Sequence, residues 1–235
     1  MHSQKYAYTL TLRHSRTMRI ITTMDEFSSR RLYHKDLDID PNSTAVLVVD
    51  MVNDFCTDGG TMVLPNAESL YPSQIKVLTA ARNSGAKVLY VNDNHRSGMK
   101  VEREFVKRSP HCIENSWGSE IVAQLAPTKN DLHVVKRRYS GFFQTDLDLT
   151  LRDLQIESLV VMGVVTNICV RSTVHDAFFL GYKVVVPQDC VAATGPREQD
   201  SSLYDIGTHF GWVSTASAVT DSLGAGLRIV NLIDN

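Results

Sequence analysis

Cysteine is scarce: only Cys56, Cys112, Cys169 and Cys190 occur, with no CxxC pair, which excludes a disulfide scaffold. A reducing compartment, the cytoplasm, is the expectation. There is no basic surplus either. The formal net charge is −2, whereas nucleic-acid binders need excess positive charge to neutralise phosphates, so nucleic acid is not an expected partner. No apolar run reaches the roughly 20 uninterrupted residues that a bilayer crossing needs, so a soluble protein without a membrane partner is expected. Internal repeats and low-complexity segments are absent as well.

What is present suits one large domain, because 235 residues can close the core of an open sheet covered by helices. The first 24 residues are basic (Lys5, Arg13, Arg16, Arg19), have no acidic residue before Asp25 and lack the compact apolar block of a secretory signal. They read as part of a disordered extension over residues 1–40, ahead of a domain over residues 41–235. An organellar targeting segment, or a start codon misplaced upstream of Met18 or Met24, would give the same composition.

Thr44 to Met51 (TAVLVVDM) is short, nearly continuous in apolar residues and rich in β-branching, as a strand buried on both faces should be. KVLYVND, LHVVK, SLVVMGV and KVVVPQD repeat that character. The segment Ser69 to Asn83 places Ile75, Leu78, Thr79 and Arg82 at helical spacing, and Gly85 ends it. Asn167 to Leu180 carries Cys169, Val170, Thr173, Val174, Ala177 and Phe178 in an amphipathic pattern closed by Gly181. WVSTASAVT reads as a last strand, and Leu223 to Leu232 fits either a helix or a short strand. Strands alternating with helices imply a parallel sheet, and in such sheets ligands bind beyond the carboxyl ends of the strands. Asp50, Asp93, Lys136 and Gly163 all fall at such ends.

A thiol becomes a strong nucleophile when a helix N-terminus and a nearby cation lower its pKa. Cys169 opens a helix, Lys136 ends a neighbouring strand, and Asp50 could take the thiol proton and later return it to a leaving amine. The turn GVVTNIC would offer backbone N–H groups to a developing oxyanion. Taken singly, each residue has a structural role open to it: a buried thiol, a turn aspartate, a basic cluster with Arg137 and Arg138. Their joint placement at one sheet rim is what carries the reading.

The strings VLVVDMVNDF, VVKRRYSGFFQTDLD and VVMGVVTNICVRSTVHDAFFLGYKVVVPQDC closely resemble the isochorismatase-like cysteine hydrolases, which include nicotinamidases, N-carbamoylsarcosine amidohydrolase and ureidoacrylate amidohydrolase. The resemblance covers nearly everything after about Ser43. It implies a three-layer α/β/α, Rossmann-like fold with a mainly parallel central sheet, and a homo-oligomer acting on a small molecule. It also implies a triad of Asp50, Lys136 and Cys169, a cis peptide between Val164 and Val165, and an oxyanion held by the N–H groups of Val165 and Cys169. Isochorismatases proper split a vinyl ether without needing the cysteine. Retention of Cys169 therefore points to amide cleavage through a thioester.

Nicotinamidases bind a divalent metal through a D-x-H string and a later histidine, which correspond here to Asp93, His95 and His111. One carboxylate and two imidazoles suit zinc, iron or manganese. The aromatic residue between the first two ligands is replaced in DNHR, so a metal-free enzyme and a metal-containing nicotinamidase both stay open. RRYSGFFQTDLD and FGWVS resemble ureidoacrylate amidohydrolase more, favouring a ureido, carbamoyl or aliphatic amide substrate. Phe55, Tyr139 and Phe142 are expected to wall the pocket. Phe143 is expected in the core, and Arg138 or Arg96 is expected to meet any substrate carboxylate.

Overall fold

The structure, a computed structural model, describes residues 36–100 and 102–234. The expected extension and targeting segment lie, through residue 35, outside the described residues. The elements run β1 (Asp36–Leu37), β2 (Thr44–Val49), α1 (Asn53–Cys56), α2 (Tyr71–Ser84), β3 (Lys87–Asp93), β4 (Leu132–Lys136), α3 (Leu147–Asp153) and β5 (Ser158–Val164). They continue through α4 (Arg171–Phe179), β6 (Lys183–Pro187), β7 (Val191–Ala192), α5 (Pro196–Asp205), β8 (Trp212–Ser214), α6 (Ala216–Ala225) and β9 (Ile229–Val230). Of the residues expected in the extension, Asp36–Leu37 pairs antiparallel with Ile229–Val230, and the Asp40 side chain accepts the N–H of Asn42 at the next turn.

The main sheet is parallel, in the order β4-β3-β2-β5-β6-β8, with β7 pairing the end of β5. The expected three-layer α/β architecture is present. Every residue of β2 and β5 is buried, which explains their unbroken apolar character. Strand order reverses between these two strands, so their carboxyl ends open a crevice between helices that leave for opposite faces. Asp50 follows β2 there, and Val165 follows β5. The strands approach closely at that point: Gly163 lies at φ +123°, and a Cβ on it would sit 2.0 Å from the Val49 carbonyl oxygen.

Two local expectations are corrected. The segment 212–220 is a strand only through Ser214, because the Thr215 side chain accepts the Ala218 N–H and starts α6. Its continuation, left open between helix and strand, is the end of α6 followed by β9. In α2 the buried face is Tyr71, Gln74, Val77, Leu78 and Ala81, whereas Ile75 is 43% exposed. Gln74 reverses the simple apolar pattern because its Nε2 donates to the Cys190 carbonyl at 2.9 Å. Among the described residues no helix is long and apolar enough to cross a membrane.

Candidate active site

Parallel register brings the ionic residues together. Asp93 and Lys136 are cross-strand partners at the ends of β3 and β4, and Lys136 Nζ lies 2.5 Å from Asp93 Oδ1. The same Nζ is 2.8 Å from Asp50 Oδ2, while Asp50 Oδ1 accepts the Asp93 N–H at 2.7 Å. Asp50 itself stands at φ 54°, its N–H donating to the Val91 carbonyl and to Asn92 Oδ1. Cys169 sits in a π-helical turn, Thr166–Val170, that runs directly into α4. Its sulfur and carboxylate oxygens of Asp50 and Asp93 all lie within 4.8 Å of one another. The Val164–Val165 peptide is cis. All three residues singled out as a triad therefore meet at the switch point of the sheet.

The electrostatics correct one expectation. Burial pushes the Cys169 thiol well above its ordinary pKa; Lys136 opposes this, while Asp50 and Asp93 reinforce it. The cation cannot act on sulfur alone because two carboxylates already hold it. Lys136 stays charged, its pKa well above the ordinary value: burial works against the charge and is outweighed by Asp50 and Asp93. The Asp50 carboxyl is pushed up to about 6, first by burial and then by Asp93, with Lys136 opposing. The resting pair is thus a neutral thiol facing a carboxylate that is ionised at neutral pH.

A cavity of about 280 Å³ opens over Cys169. Phe55 and Tyr139 line it as expected, together with Leu64, Ile168 and Val165. Phe142 is not among its lining residues; that ring stacks on Tyr182 with centroids 5.9 Å apart, which corrects its assignment to the pocket. Phe143, expected in the core, is 51% exposed. Arg138 is committed to Glu102 at 2.7 Å, and Arg96 lines a separate surface cavity. The arginine that lines the Cys169 cavity is Arg108. Thr194 joins the wall because its hydroxyl and N–H pair with the Asn167 side chain at the helix start.

Beside the triad, Asp93, His95, Glu104 and His111 bring one donor atom each to within 4.8 Å of one another, all from buried residues. The second histidine is brought in by pairing of two loops: the His95 N–H donates to the Cys112 carbonyl, and the Cys112 N–H donates to Asp54 Oδ2 at 2.6 Å. His111 Nδ1 lies 2.7 Å from the Ser109 carbonyl, leaving Nε2 for another partner. Asp93 Oδ2, both ring nitrogens of His95 and both oxygens of Glu104 are buried without a hydrogen-bond partner. Burial lowers the His95 pKa, so its ring is neutral at physiological pH. The sequence pattern supplied three of these four residues. Glu104 has no motif around it, and only its acidic side chain between the two histidines could have signalled a further ligand type.

An isochorismatase domain model matches residues 44–218. Ureidoacrylate amidohydrolase RutB of Pantoea ananatis (strain LMG 20103) is 36% identical over 208 residues, covering 78% of this chain and 83% of the relative. The crystal structure of a cysteine hydrolase from Pseudomonas syringae pv. phaseolicola 1448A superposes with a TM-score of 0.74 at 30% identity, covering 81% of this chain and 97% of that one. A pyrazinamidase of Pyrococcus horikoshii in complex with zinc gives a TM-score of 0.69 at 27% identity, covering 74% and 99%.

Proposed function

The chain belongs to the isochorismatase family and is a hydrolase of carbon–nitrogen bonds other than peptide bonds; within that class we propose a cysteine amidohydrolase that cleaves a small ureido, N-carbamoyl or amide compound through a thioester and releases ammonia. The observation that carries this reading is the buried Asp50–Lys136–Cys169 constellation facing a small cavity at the sheet's switch point. Asp50 accepts the thiol proton as Cys169 Sγ attacks the substrate carbonyl carbon. The oxyanion so formed is held by the N–H groups of Val165 and Cys169, donors left without intrahelical acceptors at a helix start. Asp50 then passes the proton to the leaving nitrogen, the C–N bond breaks and ammonia departs, leaving an acyl thioester. Water, deprotonated by Asp50, attacks the thioester, and the departing thiolate recovers a proton from Asp50. Throughout, Lys136 fixes Asp50 and offsets its charge. Phe55 and Tyr139 hold the planar group against the cavity wall.

The buried donor cluster supports one divalent ion, zinc, iron or manganese, held by Asp93, His95, Glu104 and His111. Orphaned buried polar atoms of this kind demand a partner, and a cation would satisfy one atom from each of Asp93, His95 and Glu104 at once. When bound, such an ion would polarise or orient a substrate heteroatom. The same cluster favours a second reading, a metal-containing nicotinamidase. The four free, buried cysteines support a reducing, cytoplasmic setting. A homo-oligomer is also part of the proposal, supported by exposed Phe178 and Phe179 on α4. Ammonia release from a panel of N-carbamoyl amino acids, ureidoacrylate, biuret, simple amides and nicotinamide tests the reading. Turnover of the ureido compounds is expected, nicotinamide alone would select the second reading, and no ammonia from any member would reject both.

A further inference from the structure

We infer that Arg108 binds the carboxylate of an anionic substrate and thereby orients it, ureido or amide end toward Cys169 and acid end toward the cavity mouth. This rests on the amidohydrolase reading and narrows it to ureido or amide acids. Among the residues lining the Cys169 cavity, Arg108 is the cationic side chain; the other charged members are Asp93 and Glu104. Lys136 already meets both Asp50 and Asp93, so it is not free to take a substrate carboxylate at the reactive end.

Arg108 is placed and available for that task. It follows the short helical turn Glu104–Val106, and its N–H donates to the Glu104 carbonyl at 3.0 Å, fixing its backbone to the residue that faces the inner donor cluster. The guanidinium Nη1 donates to the Lys107 carbonyl at 3.0 Å, but among the described residues no carboxylate pairs with it. Its neighbours differ: Arg138 is bound to Glu102 at 2.7 Å, and Arg137 lies 3.8 Å from Glu114. Tyr139 lines the same cavity as Arg108 and Cys169, so the proposed anchor and the nucleophile share one enclosure with an aromatic wall. A guanidinium offers a planar fork that fits a carboxylate with two parallel hydrogen bonds.

The test uses Cys169→Ala protein as a receptor that cannot turn over, titrated calorimetrically with 3-ureidopropionate and with its neutral counterpart, 3-ureidopropionamide. The acid should bind at least tenfold more tightly than the amide. Adding Arg108→Met, which keeps an apolar stem at an exposed position, should remove that difference while leaving amide binding unchanged. In Cys169-intact protein, Arg108→Met should raise KM for the acid and leave kcat within about threefold, the signature of lost ground-state binding. Equal binding of acid and amide, a preference that survives Arg108→Met, or no binding of either at millimolar concentration would overturn the inference. Failure of the amidohydrolase reading is separable, because it would leave the binding preference intact and abolish ammonia release from wild-type protein.

Discussion

Cys169 and Asp50 differ in what their substitution should cost. Cys169→Ala should abolish turnover yet shift the melting temperature little, since a small thiol contributes modest packing. Asp50→Asn keeps the shape but cannot take a proton, so kcat should fall roughly 100-fold or more. Because Asp50 must be ionised to act and its pKa is about 6, wild-type kcat/KM should climb with pH below that value and flatten above it. The residual rate of Asp50→Asn should lack this limb; an unchanged profile would assign the ionisation to another group. Lys136→Met leaves two buried carboxylates, Asp50 and Asp93, without their shared cation, and should destabilise by about 3–5 kcal/mol in urea unfolding. The three residues of the constellation were legible because each ends a strand or opens a helix in a recognisable string. Their ionisation was not, since strand-end positions do not reveal that two aspartates would share one lysine. Arg108 and Glu104 were illegible for a related reason: Glu104 opens a single isolated helical turn and Arg108 follows it in irregular chain, and neither stretch is long enough for periodicity to fix direction.

Among the elements, β2 and β5 were plain from their apolar runs, whereas the end of β8 was not: WVSTASAVT is β-branched enough for a strand, and only the Thr215 cap converts it to helix. The close approach of β5 to β2 sets a sharper demand. Gly163→Ala would drive a methyl into the Val49 carbonyl at a left-handed backbone position. It should destabilise by roughly 3 kcal/mol or more and lower activity, because the same contact sets the crevice between Asp50 and Val165. A wild-type melting curve for Gly163→Ala would contradict this placement. The loop pairing that joins His95 to Cys112 makes the donor cluster a property of two segments. Elemental analysis should find one zinc, iron or manganese per chain, lost from His95→Ala; a stoichiometry near zero in purified wild type would assign the cluster to hydrogen bonding alone.

At the scale of the molecule, a doubly wound sheet with one strand-order reversal gathers Asp50, Lys136 and Cys169 at a single crevice, where the proposed reaction would take place. Outside it, Phe179 is 71% exposed, and its ring meets Phe210 edge-on at 6.2 Å. If this face joins copies of the chain, Phe179→Asp should sediment as a smaller species than wild type with the fold unchanged by circular dichroism. Identical sedimentation would remove that face from the assembly. The central claim, covalent catalysis by Cys169, is tested most directly by acid-quenching the wild-type enzyme during turnover of a ureido acid and mapping the adduct by peptide mass spectrometry. The account predicts an acyl group on Cys169 that disappears on substrate exhaustion and never forms in Cys169→Ala. Ammonia release by Cys169→Ala at more than a few per cent of the wild-type rate would contradict it.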